Sequence, residues 1–216
     1  VVVAKLPEPP SADALRLIDP VVRELPADTM ISRLFFMAGR YPTQWDEFRT
    51  FGPTASRFDH HTSNVDGGAY DQDRGVMYGA IGPQAIPTCL AEVFQMTRLI
   101  DRHSGKPVLT GFRLCQGLTL LDLSGPFATA IGASMAIHSG PRPRARRWAQ
   151  TLYEAYPDIQ GLSYSSSMNG GASAVVLFER AAMAIPQRPV FHRLLSDPIM
   201  HRVVLATGES IGYQMV

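Results

Sequence analysis

What this sequence lacks narrows it first. It has two cysteines, Cys89 and Cys115, far apart and with no metal-type spacing, which excludes a disulfide framework and a thiolate metal centre. Both read as reduced core residues, Cys89 in a helix and Cys115 at a strand end. An excess of one charge is also missing. Twenty Lys and Arg against 19 Asp and Glu leave a formal charge of +1, without the basic surplus of a chain that mainly binds nucleic acid. No long hydrophobic run occurs, and the most apolar segment, Phe127 to Ile137, is about half as long as a membrane helix. The N-terminus shows no charged start followed by an apolar stretch and a cleavage site. These absences predict a soluble, cytoplasmic protein with no membrane partner and no direct nucleic-acid partner.

What is present is ordinary for a globular chain: 216 residues, 45% hydrophobic and 18% charged, enough for one domain with a sizeable core plus an arm. The first 30 residues are proline-rich, with Ser11 placed to cap a two-turn helix reaching Ile18. Ile31 to Met37 reads as a strand, and Trp45 to Phe51 as a loop or short helix. Arg57-Phe58 reads as the start of a brief strand, and Thr62 to Arg74 as a long polar loop. Val76 to Ile81 is apolar on both faces, as in a strand covered on both sides. A helix is expected from Gln84 to His103, then strands over Val108 to Leu114 and Leu118 to Leu123. Phe127 to Ile137 reads as an apolar helix, Pro141 to Arg144 as a basic hinge, and Arg146 to Tyr156 as an amphipathic helix. Gly161 to Ser166 and Ala174 to Glu179 alternate as a hairpin around Met168-Asn169-Gly170-Gly171. The tail adds a short helix and an edge strand, from Phe191 to Leu195 and Val203 to Ala206. Runs of strands with occasional helices favour an α+β fold, a mixed β-sheet core with flanking helices.

Four residues stand out chemically. On a helix at about 100° per residue, Glu92 falls beside the stripe of Ile86, Leu90 and Val93, flanked by Cys89, Met96 and Leu99. A carboxylate so flanked needs a partner or a purpose, either a structural salt bridge or a place in a cleft. Arg57, after a Gly-Pro-Thr-Ala-Ser run, could be that partner or a bidentate phosphate ligand. Tyr78 sits mid-strand, suited to a core position or to stacking on a flat ring. Ser166 ends the Tyr164-Ser165-Ser166-Ser167 run, whose hydroxyls could hold phosphate or ribose oxygens or simply line a polar hairpin. Adjacent His60 and His61 would point to opposite faces of a strand, so no metal is expected. The arginines from Arg142 to Arg147 read as a solvated helix start.

The order of these motifs resembles the RES domain. Ser56-Arg57-Phe58, Val76-Met77-Tyr78-Gly79-Ala80, Ala91-Glu92-Val93, Gly161 to Ser166 and Ala174 to Glu179 carry the resemblance, across roughly Ile31 to Ile185. It implies a compact fold related to the ADP-ribosyltransferases, with a proline-rich arm over 1–30, the catalytic domain over 31–185 and a C-terminal extension over 186–216. It further implies a toxin-type enzyme of a toxin–antitoxin system that consumes NAD as substrate, as a glycohydrolase or phosphorylase, with a cognate antitoxin as partner. Protein ADP-ribosylation and a silent module that binds NAD or a partner are the alternatives, and a homodimer is compatible with any of them. Carried over, Arg57, Tyr78, Glu92 and Ser166 are the expected catalytic residues, with Arg57, Tyr78 and Ser166 also gripping NAD. Where family members usually carry a second arginine in the first strand this chain has Phe36, so either Arg33 or Arg40 reaches the same phosphates or that contact is missing. The segment from Phe127 to Arg144 is longer than a minimal member needs.

Overall fold

The computed structural model describes residues 4–216. The arm comes first, with a single-turn helix, Ala12–Arg16 (α1), and a strand, Val22–Leu25 (β1). Ser11 caps α1 as expected, accepting the Ala14 amide at 3.2 Å, although the helix stops short of Ile18. Then follow Met30–Phe36 (β2), Arg49–Gly52 (β3), Tyr70–Ile81 (β4) and Ala85–Val93 (α2). Leu99–Ile100 (β5), Pro107–Arg113 (β6), Leu118–Asp122 (β7), Phe127–Ala130 (α3) and Arg142–Ala155 (α4) make up the middle. The chain closes with Gly161–Ser165 (β8), Ser173–Phe178 (β9), Phe191–Leu194 (β10), His201–Ile211 (α5) and Gln214–Met215 (β11).

The fold is α+β. Among the described residues nine strands form a mixed sheet in the order β1-β7-β8-β9-β4-β2-β6-β10, with β3 beside β4, while β5 and β11 make a small parallel pair. In the large sheet β7 and β8 run parallel and the other pairs antiparallel. A parallel pair needs a long crossover, and here the crossover is the segment carrying α3 and α4.

Both larger helix layers lie on one face. Strand residues alternate, so Val76, Leu162, Tyr164, Val176 and Phe178 meet Trp148 and Leu152 of α4, with Phe127 and Leu15. Leu34, Ala80 and Leu109, on the same face but further along the sheet, meet Leu90, Phe94 and Val204 of the α2 and α5 layer. Met77, Phe112, Leu120, Val175 and Leu177 form the opposite face, covered by Trp45, Phe48 and the 3-10 turn from Glu179 to Ala184. Burying each large side chain stabilises the fold by roughly 1.5–3 kcal/mol.

Several local expectations are corrected. The helix expected to His103 ends at Val93, because Arg98 takes a left-handed φ of 54° and Leu99–Ile100 pairs with Gln214–Met215. Tertiary strand pairing therefore overrides the helical stripe. Met96, counted on as an apolar flank of Glu92, is instead 82% exposed, and Cys115 is exposed just past the end of β6 where a core residue is expected, while Cys89 is buried. The apolar run from Phe127 gives one α-helical turn, Phe127–Ala130, and one 3-10 turn, Met135–Ile137, parted where Gly132 and Ser134 take positive φ. Pro141 to Arg144 is no hinge, since α4 begins at Arg142 and Pro143 sits in its first turn, where no amide donor is needed. Arg49–Gly52 is a strand, β4 begins at Tyr70 inside the expected loop, and Arg57-Phe58 lies in a turn. In the tail the strand comes first, as β10 on the sheet edge, and Val203 to Ala206 lies inside α5.

Candidate active site

The sheet has a split, and the split makes the site. Strand β2 pairs β4 only at Ile31 with Ile81 and Ser32 with Ala80, then leaves. Ala80 and Val76 each pair β9 on one side, so β2 and β3 both lie on the other edge of β4. β3 joins that edge from Val76 downward, which leaves Met77 to Gly79 bare between the two strands. Over this gap the α2 and α4 layers stand apart. The result is a cleft of about 470 Å³, within the usual range for small-molecule sites. Cys89 sits in the crotch of the split with its thiol donating to the Ser32 carbonyl at 3.2 Å; burial pushes that thiol up to about 12, so it is inert.

Glu92 enters the cleft from the last turn of α2. A carboxylate at the negative end of a helix is badly placed, so other groups must hold it. Ser166 does so, donating its hydroxyl to Glu92 Oε1 at 2.6 Å. The Ser166 oxygen is fixed in turn by the amides of Met168 and Asn169, each at 3.1 Å. The β8–β9 connection is thus a cradle whose hydroxyl is aimed at one carboxylate oxygen. Ser166 itself is 2% exposed and does not line the cleft.

Arg57 lines the opposite side, donating to the Gly140 carbonyl at 2.6 Å. Burial lowers the pKa of its guanidinium, the positive charge of Arg142 adds to that, and Glu92 opposes it. Arg57 and Glu92 therefore lie within reach of each other's charge, yet among the described residues they form no ion pair. The turn bearing Arg57 is anchored by Asp59, which is fully buried. Its carboxylate accepts from Arg49 at 2.9 Å, the Thr54 amide at 2.6 Å, the Thr54 hydroxyl at 2.8 Å and the His61 ring at 2.5 Å. Burial alone would raise the Asp59 carboxyl, but the His61 bond, Arg49 and the Thr54 amide outweigh it and hold it far below the usual range.

Tyr78 and Tyr164 line the same cleft. The Tyr78 ring is partly exposed, but its hydroxyl is buried and among the described residues has no hydrogen-bond partner; Ser56 stands beside it without bonding geometry. Burial drives its pKa well above the usual phenol range, so it stays a neutral donor. An orphaned buried hydroxyl costs stability. Tyr78→Phe is accordingly expected to keep or raise the melting temperature of the ligand-free protein; a fall of several degrees would show an unseen partner.

The structure brings Arg57, Tyr78 and Glu92 to one cleft, with Ser166 behind Glu92. Arg33 reaches the cleft floor from the far face of the sheet, but its guanidinium donates to the Trp45 and Glu47 carbonyls at 3.0 and 2.9 Å. Burial brings its pKa down to about 10. Arg40 is exposed, lies outside the cleft and rests over the Tyr41 ring at 5.2 Å. Tyr164, Gln95 and Arg142 also line the cleft and were not anticipated. Tyr164 had a legible signal, since it alternates with Leu162 onto the face that carries Tyr78. Among the described residues no group of three or more His, Cys, Asp or Glu side chains gathers as a metal site, and no helix is long and apolar enough to cross a membrane.

An α+β protein with a cleft opened by a split sheet is the class that fold and site define. No protein-family model matches the chain, and no curated protein does. Among solved structures, a chain of the M. tuberculosis MbcT–MbcA toxin–antitoxin complex aligns with a TM-score of 0.51. The alignment covers 83% of this chain and 90% of that one at 14% identity, so the likeness is one of fold.

Proposed function

We propose that this chain is a toxin-type enzyme that cleaves the nicotinamide–ribose bond of NAD. The observation that carries the reading is Glu92, a carboxylate in a cleft, oriented by Ser166 and facing Arg57 and two neutral tyrosines. The motif order that resembles the RES domain and the fold likeness to a chain of a toxin–antitoxin complex support it. A cognate antitoxin that covers the cleft belongs to the same proposal.

In this reading Arg57 holds the pyrophosphate and Tyr78 orients the nicotinamide or its ribose. The glycosidic C–N bond breaks, its electron pair leaves with neutral nicotinamide, and the ribose carbon becomes oxocarbenium-like. Glu92 stabilises that charge and holds ribose hydroxyls. Water or phosphate then attacks and loses a proton, giving ADP-ribose or its 1″-phosphate. Ser166 acts through Glu92 and does not grip the substrate.

The test is purified protein with NAD in buffer, then with added phosphate, following free nicotinamide and the product by chromatography. Nicotinamide released together with ADP-ribose or its phosphate ester is the expected result. Label transferred from NAD to a protein band would replace this reading with protein ADP-ribosylation. NAD binding without nicotinamide release would leave a silent binding module, for which Phe36 on the cleft wall is the supporting observation.

A further inference from the structure

Helix α4 begins in a way that electrostatics disfavours. Its first turns carry Arg142, Arg144, Arg146 and Arg147, with no acidic residue in the first turn, although a helix N-terminus is its positive end. Two of these charges are accounted for. Arg144 and Arg147 both pair with Glu8 of the N-terminal arm, at 3.1 and 2.6 Å, and Arg144 also donates to the Leu6 carbonyl. The single Glu8 carboxylate offsets part of the charge on the outer side of the helix start and, among the described residues, leaves the inner side without an acidic partner.

On the inner side Arg142 faces the cleft. Its guanidinium donates to Gln95 Oε1 at 2.6 Å, and Gln95 Nε2 in turn donates to the Glu92 carbonyl at 2.5 Å. Arg57 is bonded to the Gly140 carbonyl, two residues before Arg142, so both guanidiniums flank the same loop end. Among the described residues neither forms an ion pair, and the charge of Arg142 disfavours that of Arg57. Arg146, one helical turn beyond Arg142, adds to the positive field that reaches Tyr78. Two like charges held together beside Glu92 alone form a site short of anionic charge. Strand β2 offers nothing cationic on this face, since Leu34 and Phe36 are there, and Arg33 is tied to carbonyls on the other.

We infer that Arg142 and Arg57 form one clamp for a diphosphate, and that Gln95 holds Arg142 in register with Glu92. The long segment from Phe127 to Arg144 then has a purpose: it delivers to the cleft the second phosphate-binding arginine that β2 lacks. The ligand class is a nucleoside diphosphate, bound through both phosphates, with the sugar beyond the second phosphate lying towards Glu92. The inference rests on the NAD reading for its substrate, but the clamp itself can be tested without turnover.

The experiment is calorimetric titration of ADP-ribose, AMP and adenosine into wild type, Arg142→Ala and Arg142→Lys, alongside nicotinamide release from NAD. Far-UV circular dichroism checks folding, and the lysine variant, which keeps stem and charge but not the fork, serves if the alanine variant does not fold. Wild type is expected to bind ADP-ribose more tightly than AMP. Arg142→Ala loses about 10- to 100-fold in ADP-ribose affinity, the lysine variant recovers part of it, and adenosine binding stays unchanged. In turnover the loss falls on KM more than on kcat. Unchanged ADP-ribose affinity and unchanged KM in both variants, with wild type cleaving NAD, would overturn the clamp and leave the NAD reading standing. Arginine-dependent ADP-ribose binding with no nicotinamide release would support the clamp and overturn the NAD reading. No binding of ADP-ribose by wild type would overturn the clamp, whatever the turnover assay shows.

Discussion

Glu92→Gln is expected to leave a folded protein that releases nicotinamide from NAD roughly 100- to 1,000-fold more slowly. The amide keeps the shape and can still accept from Ser166, so the 2.6 Å bond that positions the side chain has a counterpart in the variant. What disappears is the negative charge beside the ribose as positive charge develops there. The loss therefore falls on kcat, with KM for NAD changing little, because Arg57 and the tyrosines still hold the substrate. Ser166→Ala belongs to the same experiment. It keeps the charge but frees the carboxylate to rotate, so its kcat lies between wild type and Glu92→Gln, and Ser166→Thr recovers part of it. Full nicotinamide release by Glu92→Gln would remove Glu92 from the chemistry.

Asp59→Ala has the largest expected effect on stability. It strips a fully buried carboxylate from Arg49, Thr54 and His61, leaving a cation and several donors without their acceptor. Breaking a buried pair on one side costs about 3–5 kcal/mol, read as a lower urea midpoint at pH 7. The pH dependence has a definite sign. The folded Asp59 carboxyl sits below its unfolded value, so its contribution is present above about pH 4 and is lost as pH falls through and below that value. Wild type should therefore lose stability in acid more steeply than Asp59→Ala does. The acid limb that remains in the variant is shared by Glu179, held down to about 2 by His60, Tyr153 and the Gly75 amide against its burial, and by Asp101, brought to about 2 by Ser104 and the His103 amide. Equal urea midpoints at pH 7 would show that Asp59 does not anchor the Arg57 turn. Release of nicotinamide should fall as well, because that turn carries Arg57.

How much of this was legible follows from range. Strand β2 and the apolar half of β4 announce themselves as short apolar runs, β6 and β7 as strand-length runs around a turn, and the β8–β9 hairpin by alternation, all of them local signals. The end of α2 does not, since it depends on β11 arriving from more than a hundred residues away to pair with β5. The error mattered for Glu92. Its apolar flank was inferred from Met96 and Leu99, which are not on the helix, yet the residue reaches the cleft because it sits at a helix end. Ser166 was legible as a hydroxyl at a strand end, but its target was not, because Glu92 lies 74 residues earlier in the chain. Arg142 hid among arginines that looked solvated. Only the position of Glu8 shows which of them the arm pairs with.

The narrow seam between β2 and β4 also has a mechanical meaning. Two residue pairs join the strands there, against seven between β2 and β6 and five between β4 and β9. So few ladder pairs cross the seam that the helix above it does much of the joining, since α2 rests on β2 on one side and on β4 and β9 on the other. Glu92 is tied through Ser166 to the β8–β9 connection, on the same side of the seam as the Gly140 carbonyl that supports Arg57, so the acid and the cation keep their spacing when the seam flexes. The wall that shifts against them is the β2 side of the cleft, lined by Leu34 and Phe36.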